Sequence, residues 1–557
     1  MLTRRMFHTR LLASLSLAAV PGFAPDIALS APTGVSADEV WLNRLTFGAT
    51  PASRTAIAAM GREAWLDDQL GRGVSDPGLD AALAAARLRI AYAAGQEGTI
   101  AWDAVDELRP LGYLGAAATD MVELAVYRDD AILNWAQRVR PGEEVIAASL
   151  IRAVHAEAQL REVMTQFWHE HFSVNTDKEV EVAAFFPLYD ATMRQHAFGN
   201  FRVLLGAVAR SPSMLYFLDN DTNRATPANE NFARELMELH TLGAENYLND
   251  RFSRWDDVPG ATEGLADGYL DLDVYEVARA FTGWSVGDWR DLGDDLRAPE
   301  TGEVHFIAAW HDPYQKRVLG REFPPNRGPM VDGDEVLDIL ARHPGTARHI
   351  CRKIARRLLS DEPEAGLVAR LAEVFVAAAD APDQIAQVVR ALVLSPEFEA
   401  PPAKLRRPFE VLAGLYRATG AKVITTQILY RGLLARAGWW QHRYNLPTGH
   451  PDRSLPWTGA GTLNRIVDLV LDAHEDWFDG ATADLAAVLP GETAAAFVRR
   501  HVAAVAPARE AEIAADVLQM AQRRPMLPMA GVPEDERHTL ATQAIAFAAL
   551  TPDFLLR

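Results

Sequence analysis

The chain has 557 residues, 23% of them charged, with a formal net charge of -20 and a single cysteine. The acidic surplus argues against a nucleic-acid backbone or an anionic membrane surface as partner. Cys351 alone excludes an internal disulfide, a CxxCH haem attachment and an all-protein iron–sulfur site.

The N-terminus reads as a cleaved leader of the twin-arginine type over 1–30. Thr3-Arg4-Arg5-Met6-Phe7 precedes an apolar run from Leu11 to Val20, with small residues from Ala28 to Ala31 and a cleavage point near Ser30. No later stretch is long and uncharged enough to span a bilayer, so a soluble exported or periplasmic protein is expected. Beyond the leader the pattern predicts an all-α fold, a large multi-helix domain with long irregular loops and little or no sheet. Thr50-Pro51 caps one helix, and amphipathic stretches follow near 52–70, 80–94 and 117–138. A long helical pattern starts near Glu144 and ends in Phe167-Trp-His-Glu-His-Phe172. Asp273 to Glu276 has capping-box spacing, with Asp273 in the cap role. Two helices flank the His343-Pro344 break, and the segments 248–271 and 285–331 read as long loops. Pro401-Pro402 marks a soft boundary, giving a main helical domain over 31–400 and a C-terminal helical region over 401–557 packed on it.

Three constellations could carry chemistry. Asn229 to Gly243 is the densest: at about 100° per residue, Glu230, Arg234 and Glu238 form an i, i+4, i+8 ladder with Glu235 beside it, while His240 falls on the apolar side. An ion-pair ladder on a solvated face is the ordinary reading, and a carboxylate pair from Glu235 and Glu238 is the sharper one. In FWHEH, His169 shares a polar face with His155, Glu162 and Gln166, whereas His171 lies among Leu160, Met164 and Phe167. The two histidines point apart and do not suit a joint chelate in a regular helix, and the spacing is not HExxH. The third is His311-Asp312, a loop pair able to bind metal or move protons.

The motifs also occur in a familiar order. Leu42-Asn-Arg-Leu-Thr-Phe-Gly48, FWHEHFSV from Phe167, His196 to Gly199, Asn229 to Gly243, Asp273 to Trp284, His311-Asp312 with Lys316 and Leu319-Gly320, Lys404, Arg407 to Glu410 and the terminal TPDFLLR together resemble the bacterial domain of unknown function 1800. That resemblance implies a mostly helical exported protein, often encoded beside a second exported family that looks like the alkaline phosphatase and sulfatase superfamily and is a possible partner. This chain departs from the pattern in about twenty extra residues between Tyr247 and Asp273. It also departs in Pro447-Thr-Gly449-His450, where a Gly-Trp turn is expected. His240 stands where the family has histidine or phenylalanine.

The expected function is a metal-assisted hydrolase of an extracytoplasmic polymer or conjugate. Its divalent ion, zinc, manganese or iron, is expected on His171, His311, Glu235, His169 and His240, with Glu235, Glu238, Arg234 and Asp312 as catalytic groups. Two rivals use the same residues: a non-catalytic binding or assembly protein working with the phosphatase-like partner, and a redox protein holding haem or non-haem iron.

Overall fold

In a computed structural model, residues 36–557 are described apart from 99, 127–133, 294–295, 400, 424–427 and 477–480. The leader over 1–30 lies outside the described residues. The helical expectation holds: helices dominate from Ala37–Leu45 to Pro552–Leu555, and sheet is confined to six two-stranded antiparallel pairs among the described residues. No described helix is long and apolar enough to cross a membrane.

The element boundaries differ from the sequence pattern in physically simple ways. The helix expected over 52–70 is two, Pro51–Met60 and Arg62–Gly71, divided at Gly61, whose φ of 80° breaks the helical path. The 80–94 stretch stops being helical at Ala86 and continues as the strand Arg87–Tyr92, in which Leu88 and Ile90 alternate inward. This strand pairs with Val105–Pro110. Asp273 is not the cap of its helix; the helix starts at Asp271, and the Asp273 carboxylate accepts from the Leu270 and Leu319 amides. Burial raises that carboxyl to about 6. The supposed loop over 285–331 contains hairpins, Trp284–Asp288 with Glu300–Phe306 and Lys316–Val318 with Arg321–Phe323. The extra residues after Tyr247 do form a loop, cinched at its neck by Leu248 N–H to Tyr269 O and Tyr269 N–H to Asn246 O, both 2.9 Å.

One buried apolar cluster runs from Trp41 to Leu555. Near its middle lies the helix Gln159–His171. Leu160, Val163, Met164, Phe167, Trp168 and His171 follow helical spacing, and all are buried. The opposite face is polar yet also buried, with Glu162, Thr165, Gln166 and His169 each under 8% exposed. A helix sealed on all sides obliges its polar residues to find partners inside the protein. Partners come from the helix Arg140–His155 before it, from Phe186–Gln195, and from two segments far away in sequence, the helix Pro344–Leu358 and the loop 439–454, whereas Thr165 Oγ1 and the Gln166 amide make no hydrogen bond. The pattern starting near Glu144 is thus broken at Ala156–Ala158, and the break sends His155 off the shared polar face, to accept from the Val423 amide at 3.0 Å.

Candidate functional site

His169, Glu170 and His171 are consecutive, and at about 100° per residue they must diverge. Each opens into a different buried network. His169 Nε2 lies 3.0 Å from Asp190 Oδ1, and Asp190 also takes Arg152 at 2.7 Å and Arg194 at 3.0 Å. Arg194 continues to Glu162 at 2.6 Å, so two carboxylates and two guanidinium groups balance. Burial works to raise the Asp190 carboxyl, but Arg194 and Arg152 hold it well below the ordinary range. The His169 ring packs 4.4 Å from His442 between centroids, and His442 Nε2 meets Ser149 Oγ at 3.0 Å. The His442 backbone sits at φ 55°, a left-handed conformation that costs a non-glycine residue roughly 1–2 kcal/mol.

Glu170 turns towards the 439–454 loop. It accepts from the His450 amide at 2.6 Å and faces His450 Nδ1 at 3.0 Å, while Trp439 lies flat on the His450 ring at 4.0 Å and 11°. Burial disfavours the Glu170 anion, and His450 and Arg407 outweigh it and lower the pKa. Gly449 has φ 70°, and a Cβ there would come within 2.2 Å of the Glu170 carbonyl, so only glycine lets the loop approach this closely. The Pro447 to His450 departure is therefore the partner of the motif's own glutamate. Beyond it, Arg357, Arg407 and Arg557 converge on Glu410.

His171 enters the third network, and this one is unsaturated. Its Nε2–H donates to the His240 carbonyl at 3.1 Å, which leaves Nδ1 as a buried lone pair without a hydrogen-bond partner. His240 Nε2 is also buried and unpartnered. The two rings lie 6.1 Å apart between centroids, and His349 lies 6.3 Å from His171. Burial, with Lys353 as the nearest charge, pushes the His171 ring well below its ordinary pKa and His240 down to about 3, so both stay neutral. Lys353 itself is brought down to about 8, by burial first. At the mouth, Glu245 takes Arg352 at 2.5 Å and lies 3.4 Å from His349 Nδ1; burial opposes its ionisation, yet His349 and Arg352 bring it to about 2.

His240 reaches this place through an irregularity. After Asn231–Glu235 the helix widens into a π turn over Leu236–His240, closed by Thr241 Oγ1 to Leu236 O at 2.6 Å. A π turn inserts a residue into the helical phase, and such insertions gather at functional sites. It leaves His240 facing inward and Glu235 and Glu238 half-buried on other faces. Neither carboxylate makes a hydrogen bond or ion pair among the described residues. Burial, and then Glu238, raise the Glu235 carboxyl. Arg234 pairs with Glu230 at 3.1 Å and Asp271 at 3.3 Å, all partly exposed, as a surface ladder does.

The structure thus brings together His171 and His240 and adds His349 and Lys353, which sequence reasoning missed. It places the other candidates elsewhere. His169 belongs to the Asp190 network. His311 Nδ1 donates to the Thr282 carbonyl at 2.9 Å, and Asp312 is gripped by both ends of Arg279 at 2.8 and 3.1 Å. Lys316 then ties the Asp312 carbonyl to Asp332, each at 2.7 Å, so the His311-Asp312 loop is a clasp between segments. Among the described residues, no three His, Cys, Asp or Glu side chains stand ready to hold one ion.

No curated protein and no solved structure matches this chain. A family model does, over residues 40–556, which include all three networks around FWHEH. The chain belongs to the family described as protein of unknown function, DUF1800.

Proposed function

We propose that this chain is an exported enzyme that hydrolyses an extracytoplasmic polymer or conjugate, with a divalent metal held at the His171–His240 pair. The observation that carries the reading is the commitment of His171 Nε2–H to the His240 carbonyl, which leaves Nδ1 a bare lone pair beside the unpartnered His240 Nε2. Metal-binding histidines are commonly held this way, one ring nitrogen fixed on a carbonyl and the other presented as a ligand. Zinc, manganese and iron all accept imidazole nitrogen, zinc at about 2.0–2.1 Å, and two nitrogens leave positions open for water. His349 is a third ring 6.3 Å from His171, but its Nε2 faces the Leu239 carbonyl at 3.2 Å and its Nδ1 faces Glu245 at 3.4 Å, so the pair alone presents bare nitrogens. When bound, such an ion supplies an activated water. The protein's own residues hold the rings neutral, exclude bulk water through Phe167, Trp168 and Phe172, and offer Glu238 and Glu235 as uncommitted carboxylates along the same segment as His240.

Elemental analysis of protein exported through its native route tests this reading. About one equivalent of metal is expected in the wild type, with loss in His171→Gln and in His240→Gln while the circular dichroism stays helical. A metal-free wild type that takes up none of the three ions on addition would overturn it.

A second reading, a binding protein for a phosphatase- or sulfatase-like exported partner, draws on a different observation. Trp440 and Leu446 are 48% and 55% exposed in the loop that grips Glu170, and Leu455, just after it, is 70% exposed. Loss of co-purification on changing these three to serine, with metal content unchanged, is the outcome it requires.

A further inference from the structure

The polar face of the helix Gln159–His171 opens on a small cavity of about 20 Å³. Thr165, Gln166 and His169 line it from that helix, and Ser149, Gln441 and His442 line it from the preceding helix and the 439–454 loop. Thr165 is 2% exposed and Gln166 5% exposed, and neither finds a protein partner. Thr165 Oγ1 and both polar atoms of the Gln166 amide are buried without a hydrogen bond. A primary amide can donate two hydrogen bonds and accept two, and one sealed away with none is costly.

The loop across the cavity adds a further open donor. Gln441 Oε1 accepts from the Trp439 indole at 2.8 Å, so the Gln441 amide N–H faces His442 Nε2 at 3.0 Å and fixes that nitrogen as an acceptor. Burial holds the His442 ring neutral, well below its ordinary pKa, which puts its single N–H on Nδ1. That N–H meets no acceptor among the described residues, because the hydrogen bonds of the ring are those of Nε2 with Gln441 and with Ser149 Oγ. Charge at the cavity is already balanced, since Glu162 and Arg194, which also line it, pair with each other at 2.6 Å. A guest here is therefore neutral, and it both donates and accepts. Roughly 10–15 Å³ suffices for a water, and a buried water makes about three hydrogen bonds. The cavity fits one such molecule and is far too small for an organic ligand.

We propose that this cavity is a binding site for one ordered water, bonded to the Gln166 amide, to Thr165 Oγ1 and to the His442 N–H. The water completes the neutral groups of a region whose charges are matched within the protein, and it ties the FWHEH helix to the 439–454 loop from far along the chain. The inference concerns the His169 side of the helix and is independent of any metal at the His171–His240 pair.

Magnetic relaxation dispersion of water oxygen, which counts molecules held inside a protein for longer than nanoseconds, is the test on the full chain. The wild type is expected to hold about one more such water than Gln166→Met, whose side chain is similar in size and has no amide. The melting temperature should fall in the same variant, because the water and its remaining partners lose a hydrogen bond. A dry cavity predicts the reverse shift, since methionine would then replace an unpaired amide. Thr165→Val, which keeps the shape and removes the hydroxyl, serves should Gln166→Met fold poorly, and it should shorten the residence time of the water. An equal count in the wild type and Gln166→Met, a higher melting temperature in Gln166→Met, or an unchanged residence time in Thr165→Val would overturn the proposal.

Discussion

His169 and His171 stand two residues apart on one helix, yet the interiors they enter are opposites. Around His169 every charge is matched: Asp190 and Glu162 against Arg152 and Arg194. Around His171, two ring nitrogens lack partners. A buried network that is fully satisfied fixes geometry, and one left incomplete is where a ligand can gain free energy. On the proposed reading this difference in charge matching marks His171 rather than His169 as the ligand, although both are under 7% exposed.

Breaking the saturated side should have the largest effect. Asp190→Ala strands Arg152 in the interior and leaves Arg194 to Glu162 alone, and a loss of roughly 3–5 kcal/mol in denaturant unfolding is expected. The same side governs acid stability. The Asp190 and Glu410 carboxyls lie well below their ordinary range when folded, so their stabilisation is complete above that range and disappears as pH falls through it and below. Thermal melts should drop steeply on acidification, and Asp190→Asn should start lower and flatten that slope.

The unsaturated side should respond in the opposite sense. Lys353 has a folded pKa of about 8 against an unfolded value of 10.5, so the unfolded chain binds more protons between the two and stability rises with pH across that window. At neutral pH, Lys353→Met should raise stability on the order of 1 kcal/mol, read as a higher melting temperature that no longer climbs between pH 8 and 10. A destabilised Lys353→Met would show that the lysine is paired after all. The smallest effect belongs to the surface ladder: Arg234→Ala should cost no more than about 0.5 kcal/mol, leaving metal content intact.

Much of this was legible in the sequence, and the limits are specific. The spacing of Leu160, Val163, Met164, Phe167, Trp168 and His171 marks the central helix and turns His171 inward and apart from His169, whereas His240 faces inward through the π turn over Leu236–His240. The breaks at Ala86 and Ala156–Ala158 were hidden because alanine favours the helix that tertiary contacts end there. Lys353 was hidden differently: in Arg-His-Ile-Cys-Arg-Lys-Ile-Ala-Arg-Arg from Arg348, nothing local separates it from Arg352 or Arg356. The partners of Glu170 and His169 lie some 270–280 residues away, in a loop whose path depends on Gly449 and on the left-handed backbone of His442. No periodicity reports such a path.

X-ray absorption of the metal-loaded protein tests the central claim most directly, because imidazole ligands scatter in a pattern that can be counted. Two histidine nitrogens at about 2.0–2.1 Å are expected for zinc, falling by one in His171→Gln and by one in His240→Gln, with no change in His311→Gln. A spectrum without imidazole, or a count that neither His171→Gln nor His240→Gln lowers, would contradict the account.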